Sequence, residues 1–437
     1  MPSLYPRLAA ILALLVPACA LTSASAGPTL LYVAGLLAII AIVHDRLRGR
    51  GATGTATDTA GDTATLWPAA IALCAPLVSV LLTFMLVDGA WSSSEFEKFF
   101  RFALACPIGW LLLRAPTRWL QQVQWSILFS AFAGSIMLIV IMHTADLGRG
   151  TVSDFGGRYN AVAFADLTLF FGFAGLLMLP WTLSRWPRVE KALKILAAVL
   201  SLYATWLSQT RSSWMLLPIF GVVVLLSRAH WSRRAKAVFV AGLLVVLAGA
   251  STLLWQIQDS RMREVASDVE NYVDHADRDT SVGIRMQLWH ASWLMFLDHP
   301  VIGTGARNFR TNLAELRDRG IVTPLVASDY GEPHNDLIAA MAGYGAVGLL
   351  AMLTLYLLPA VIFYRRMFHP DPRVHIGAQV GLLFCLSYTA FSLTEMMFRN
   401  MRSVPIYAVT MVVLYALTAP RRPVAVAHAD GLSAGTR

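Results

Sequence analysis

The sequence predicts an all-α polytopic membrane protein with about twelve transmembrane helices and a helical subdomain on one face. Three observations carry that expectation. Of 437 residues, 57% are hydrophobic and only 14% are charged, whereas soluble domains are about half apolar and about a quarter charged. Apolar runs recur near the ~20 residues that cross a bilayer as a helix. Basic residues favour alternate loops, as the positive-inside rule requires of a multi-pass chain.

In chain order the runs are 8–26, 29–43, 66–87, 99–113, 121–142, 161–183, 192–207, 214–227, 238–255, 335–364, 377–393 and 404–419. The first begins after Arg7 and ends on Ala24-Ser25-Ala26, which imitates a cleavable signal peptide. Retention is expected, because losing one span would break the charge alternation of every later loop. One set of loops holds Arg7, Arg46, Arg48, Arg50, Arg114, Arg118, Arg185, Arg188, Lys191, Lys194, Arg228, Arg233, Arg234, Lys236, Arg365, Arg366, Arg373, Arg421, Arg422 and Arg437. That is 20 of the 35 basic residues, and eight of the remainder lie in one long segment that the short-loop rule does not count. Both termini are therefore expected in the cytoplasm. The net charge of +9 reads as membrane topology, and nucleic acid is not an expected partner.

The chain divides into helices one to nine over 1–255, a long outer loop with amphipathic helices over 256–334, helices ten to twelve over 335–419, and a cytoplasmic tail over 420–437. Segment 51–64 is small, polar and repetitive, and reads as a flexible cytoplasmic loop. In the outer loop, Met286, Trp289, Trp293 and Phe296 recur at helical spacing, and His299-Pro300 with Gly303-Thr304-Gly305 breaks that helix. A second amphipathic stretch runs from Phe309 to Leu316 and ends near Gly320. Aromatic side chains there suit the headgroup level of a membrane. Cys19, Cys74, Cys106 and Cys385 fall inside apolar runs, without disulfide or zinc spacing. No internal repeat is evident, which weighs against transporters built from two related halves.

Three outer arginines lie close to span ends: Arg158, Arg211 and Arg285. The guanidinium fork matches phosphate oxygens, and one such contact near 4 Å is worth up to about 4 kcal/mol at an effective dielectric of about 20. Headgroup anchoring is the plainer alternative for any one of them. It is weakest for Arg211, which sits in a very short connection between two apolar runs. In Glu332-Pro333-His334-Asn335-Asp336 the outer loop enters the tenth span. Pro333 fits a helix start there, Asn335 or Asp336 can orient an imidazole, and imidazole is the side chain suited to proton transfer near neutral pH. Glu395 and Arg399, four residues apart, can form a helical ion pair. Asp277-Arg278-Asp279 resembles a metal-holding acidic pair, but Asp268, Glu270 and Asp274 beside it make a solvated acidic face the simpler reading. No metal and no cofactor are expected.

Ser281-x-Gly283-x-Arg285-x-x-x-Trp289, His299-Pro300-x-x-Gly303-x-Gly305, Pro333-His334-Asn335 and Gly343-x-Gly345-x-x-Gly348 together resemble the O-antigen ligase and polymerase superfamily. The similarity covers about 260–350 closely and extends to Arg211. The resemblance implies a GT-C-type glycosyltransferase fold. It also implies transfer of O-antigen polysaccharide from undecaprenyl pyrophosphate to lipid A–core oligosaccharide at the periplasmic face of the bacterial inner membrane. On that reading His334, Arg211 and Arg285 are catalytic, while Arg158, Asn335, Trp289, Gly303 and Gly305 bind substrate. An O-antigen polymerase or a protein O-oligosaccharyltransferase of the same superfamily fits the motifs as well. A flippase for lipid-linked sugars is the alternative outside enzymes, disfavoured because the polar residues gather in one outer segment instead of at mid-membrane depth.

Overall fold

A computed structural model of the protein describes residues 4–47, 56–144, 160–228, 231–245, 248–249, 278–398 and 403–420. Among the described residues all regular structure is helical. The helices are α1 (Leu4–Ala18), α2 (Ala26–Leu47), α3 (Ala56–Leu86), α4 (Ser93–Leu113), α5 (Val123–His143), α6 (Ala161–Leu177), α7 (Pro187–Leu207), α8 (Leu216–Ser227), α9 (233–245), α10 (Ser281–Asp298), α11 (Phe309–Asp318), α12 (Pro324–Asp329), α13 (Asp336–Arg366), α14 (Pro372–Ser392) and α15 (Ser403–Thr418).

Among the described residues each apolar run overlaps a helix, with adjusted ends, and 246–247 and 250–255 of the ninth run lie outside them. Among the described residues five helical segments are long and apolar enough to cross a bilayer: Ala26–Leu47, Thr65–Leu86, Thr117–His143, Asp336–Arg366 and Pro372–Ser392. Leu4–Ala18, Ala161–Leu177, Ser212–Ser227 and Ser403–Thr418 are shorter apolar helices. The molecule is thus an all-helical polytopic membrane protein. α6 stops before the end of its apolar run because Pro180, which has no backbone N–H, follows within three residues.

α15 is buried along its whole length and packs on α1, α4 and α14. At its heart Tyr356, Phe384, Tyr388, Phe398 and Tyr407 form a ring cluster with centroids 4.8 to 5.9 Å apart. Apolar side chains also cover the outside, including Leu36 on α2, Ile136 on α5 and Val199 on α7, all more than half exposed. That inversion suits a bundle whose solvent is lipid.

Ends expected to share a side do meet. At one end Arg114 pairs with Asp45 at 3.1 Å, and Arg366 bonds Tyr415 O and Thr418 Oγ1. At the other, Tyr32 and Arg101 bond Glu97, Tyr344 bonds Glu95, and Thr83 bonds Ile302 O. Lys194 departs from expectation. Counted above among loop charges, it is 1% exposed within α7, where its ammonium bonds Glu190 at 2.8 Å, Gln124 at 3.0 Å and the Met178 carbonyl at 2.9 Å. Glu190 in turn accepts from Leu183 N, Ser184 N and Gln124. Both buried charges are satisfied, so the pair ties α5 and the α6–α7 connection to α7.

α10, α11 and α12 form a separate small core of Ile284, Leu288, Ala291, Met295, Phe309, Leu313, Leu316 and Val326. The helical spacing read from the aromatic residues is real, but α10 buries a different face. Trp289 and Trp293 point outward, 38% and 47% exposed. α11 ends as anticipated at Gly320 (φ +71°), where Ile321 N reaches back to Leu316 O.

The subdomain joins the bundle through a backbone clasp. Gly345 (φ 65°) kinks α13. At the kink Thr304 N bonds Ala342 O, Gly305 N bonds Gly343 O, and Ala346 N bonds Pro300 O. A Cβ on Gly303 (φ +70°) would lie 2.3 Å from Tyr344 N, and one on Gly345 2.3 Å from the Val301 carbonyl carbon. Glycine at these positions is what lets the two backbones touch.

Candidate functional site

Asn335 starts α13 as its cap, accepting from Leu337 N at 2.9 Å and Ile338 N at 3.0 Å while its amide donates to Leu393 O at 3.0 Å. Asp336 clamps the segment after α14, accepting from Tyr356 Oη at 3.0 Å and Met397 N at 2.9 Å. His334 just before them has φ 52°, and the indole of Trp289 donates to Pro333 O at 2.9 Å. The turn is fixed on both sides, and it aims the imidazole at Glu395, with Nδ1 3.3 Å from Oε1.

Glu395 is 4% exposed, and its carboxylate also takes Met396 N at 3.0 Å. Burial raises its pKa, but the His334 contact, Met396 N and the Asn160 side chain lower it by more, so it lies below the ordinary glutamate value. α14 ends at Ser392, before Glu395, and the expected partner Arg399 lies outside the described residues.

Asn160 caps α6, accepting from Ala163 N at 2.7 Å. Nearly two turns later Asp166, fully buried, accepts from Ser212 Oγ at 3.0 Å and Ser213 Oγ at 2.5 Å. Those serines follow Arg211 directly, so α6 anchors the Arg211 turn at the end of the bundle where Glu395 and His334 sit. Asp166 lies within electrostatic range of Glu395. Arg211 itself is exposed and forms no ion pair among the described residues. Close by in sequence, the indole N–H groups of Trp206 and Trp214 are buried and have no partner among the described residues. Gln209 (φ 53°) and His334 are the non-glycine residues with positive φ among the described residues, and both belong to this site. Such backbone strain concentrates where the surroundings hold a functional geometry.

Arg285 lies on α10 one turn before Trp289 and so on the same face. It makes no hydrogen bond among the described residues. Contacts thus bring Trp289, Asn335 and His334 together, link Arg211 to them through Asp166, and place Arg285 one helical turn away. Gly303 and Gly305 lie in the clasp, where they set the approach of two backbones. Arg158 lies outside the described residues, as does Asp277, while Asp279 accepts from Thr323 Oγ1 at 2.5 Å. Glu395, Asn160 and Asp166 were not singled out from sequence as parts of one site. Asp166 carried a usable signal, an acid inside an otherwise apolar run.

Fold and site together define a polytopic helical membrane protein with an imidazole–carboxylate pair and two uncommitted guanidinium groups at one end of its bundle. Residues 196–353, which include Arg211, Arg285 and His334, match the family model described as O-antigen ligase. Over that stretch the chain is similar to the O-antigen ligase family. An O-antigen ligase of Escherichia coli strain K12 is 25% identical over 288 residues, 64% of this chain and 62% of that protein. An uncharacterised protein of Haemophilus influenzae is 22% identical over 178 residues, 39% of this chain and 43% of that protein. The chain therefore aligns with less than two thirds of the length of either relative.

Proposed function

We propose that this protein is a glycosyltransferase of the O-antigen ligase type. It moves O-antigen polysaccharide from undecaprenyl pyrophosphate to lipid A–core oligosaccharide at the periplasmic face of the bacterial inner membrane. The supporting fold would be of the GT-C type with about twelve spans and both termini in the cytoplasm. The observation that carries the reading is the 3.3 Å contact of His334 Nδ1 with Glu395 Oε1, within a turn that the family stretch also contains. With Glu395 accepting at Nδ1–H, Nε2 is the free acceptor for a proton.

The chemistry then balances with these groups alone. The acceptor hydroxyl oxygen attacks the anomeric carbon, the bond from that carbon to the pyrophosphate oxygen breaks, and the hydroxyl proton passes to His334. In-line displacement inverts the anomeric centre. Arg211 and Arg285 stabilise the negative charge that grows on the departing pyrophosphate, the service that fixed cations render best. The donor arrives already activated, so no further energy source is needed.

The test is transfer of lipid-linked glycan onto lipid A–core by the purified protein in detergent, where an enzyme forms covalent product and a flippase forms none. His334→Ala and Arg211→Ala are expected to abolish product while remaining folded, and a chelator is expected to have no effect. Full activity in His334→Ala removes the histidine from the mechanism, and inhibition by chelator replaces the arginine mechanism with a metal-dependent one.

A further inference from the structure

α11 and the chain between α12 and α13 flank the His334 turn with two side chains that the reaction above leaves unused. Arg310, the second residue of α11, is exposed, and among the described residues its guanidinium forms no hydrogen bond and no ion pair. Its place is nonetheless defined. A Cβ on Gly331 would lie 2.5 Å from Arg310 Nε and 3.1 Å from both Cζ and Nη2, so the guanidinium rests on bare backbone three residues before His334. Glycine makes that seat, because any side chain would occupy it. Tyr330, the residue before Gly331, ends α12 as its cap. Its ring packs on the small core of the subdomain and meets the His334 imidazole edge-on, with centroids 6.2 Å apart at 72°. Among the described residues its phenol forms no hydrogen bond. A guanidinium with five N–H donors and a phenolic hydroxyl are thus both uncommitted beside the imidazole.

The ligand's class follows from those two groups. The guanidinium fork matches the oxygens of a phosphate or carboxylate, and a tyrosine offers an apolar ring with a polar tip. A sugar that carries an anionic group presents the complement of both. Position then decides which substrate supplies it. The acceptor hydroxyl must reach the imidazole to give up its proton, so the sugar bearing it lies against whatever flanks His334, and Tyr330 does. We infer that Arg310 and Tyr330 form a subsite for an acidic sugar of the acceptor, the guanidinium holding its phosphate or carboxylate and the phenol a ring hydroxyl. This rests on the transferase reading above and adds to it a pair of residues that select the acceptor, apart from the arginines assigned to the departing pyrophosphate.

The experiment measures transfer by the full-length protein against lipid A–core concentration at saturating donor, and then against donor at saturating lipid A–core. Arg310 is exposed, so its replacement is expected to leave the fold intact. Arg310→Ala is expected to raise the acceptor KM roughly 10-fold, the loss of one charged hydrogen bond, with kcat and donor KM within about twofold of the parent. Gly331→Ala displaces the guanidinium without removing its charge and is expected to match that loss. Because both act through one group, the double variant should lose no more than either alone. Tyr330→Phe keeps the packing and drops the hydroxyl, and its acceptor KM is expected to rise roughly fivefold. An acceptor KM unchanged in Arg310→Ala or in Tyr330→Phe, a raised donor KM, or losses that add in the double variant overturn the assignment while leaving the transferase reading standing. Absence of product with the unsubstituted protein sinks that reading instead. The subsite is then tested directly by saturation-transfer NMR with glucose 6-phosphate and methyl α-glucopyranoside. The parent is expected to favour the phosphorylated sugar and Arg310→Ala to lose that preference, whereas the same preference in both proteins overturns the subsite.

Discussion

The imidazole of His334 and the carboxylate of Glu395 form the contact on which turnover should depend most. Removing a proton acceptor from a transferring site typically costs ~10²- to 10⁴-fold in rate, and His334→Ala is expected to lose kcat in that range with the acceptor KM little changed. Glu395→Gln keeps the shape but loses the charge. Its kcat should fall less than that of His334→Ala, and its pH–rate profile should shift, because the gain of a proton by His334 is no longer balanced by an adjacent anion. Stability gives a second reading of the same group. A carboxylate held below its ordinary 4.5 stabilises the fold fully above that pH and loses the contribution as pH falls through the lowered value. The melting-temperature gap between the parent and Glu395→Gln should accordingly be present at neutral pH and shrink as pH falls below the ordinary glutamate value. At Arg211, lysine keeps the charge and loses the planar fork, so Arg211→Lys should raise the donor KM and restore little of the activity lost in Arg211→Ala.

At the scale of elements, two features hold the site from a distance. The clasp between 299–305 and the α13 kink has no room for a Cβ at Gly303 or Gly345. Gly345→Ala is expected to destabilise by at least about 2 kcal/mol, from left-handed strain and from overpacking together, measurable as an earlier thermal transition in detergent. The Glu190–Lys194 pair of α7 is buried on both sides. Lys194→Met strands Glu190 and should cost about 3–5 kcal/mol, whereas replacing both partners with apolar residues of similar volume should cost much less. A single-variant loss below about 1 kcal/mol would show that water reaches the pair. Neither feature was apparent from spacing. The glycine motifs read as candidate substrate contacts, and Lys194 read as a loop charge, because spacing records residue type and leaves the facing backbone or burial unstated.

At the scale of the whole molecule, the charge alternation predicts sidedness, and the structure supplies an independent constraint by bringing together the helix ends assigned to one side. Cysteine placed at the exposed Ser328 in a cysteine-free background should be labelled by an impermeant maleimide in intact spheroplasts. Cysteine at the exposed Arg188 should be labelled only after permeabilisation. The reverse pattern would turn the site toward the cytosol and remove the periplasmic reaction with it.

The sequence alone determined that the chain lives in lipid and where most of its helices run, predicted which loops share a side, and placed His334, Arg211 and Arg285 in a recognisable pattern. Those properties are local: composition, periodicity and spacing are written along the chain. Tertiary structure decided that Glu395 meets His334, that Asp166 anchors the Arg211 turn, and that α10 buries Leu288 in place of Trp289. Partners separated by dozens to hundreds of residues meet only when helices pack, and packing is settled by shape and by the satisfaction of buried charge, which no short stretch of sequence encodes.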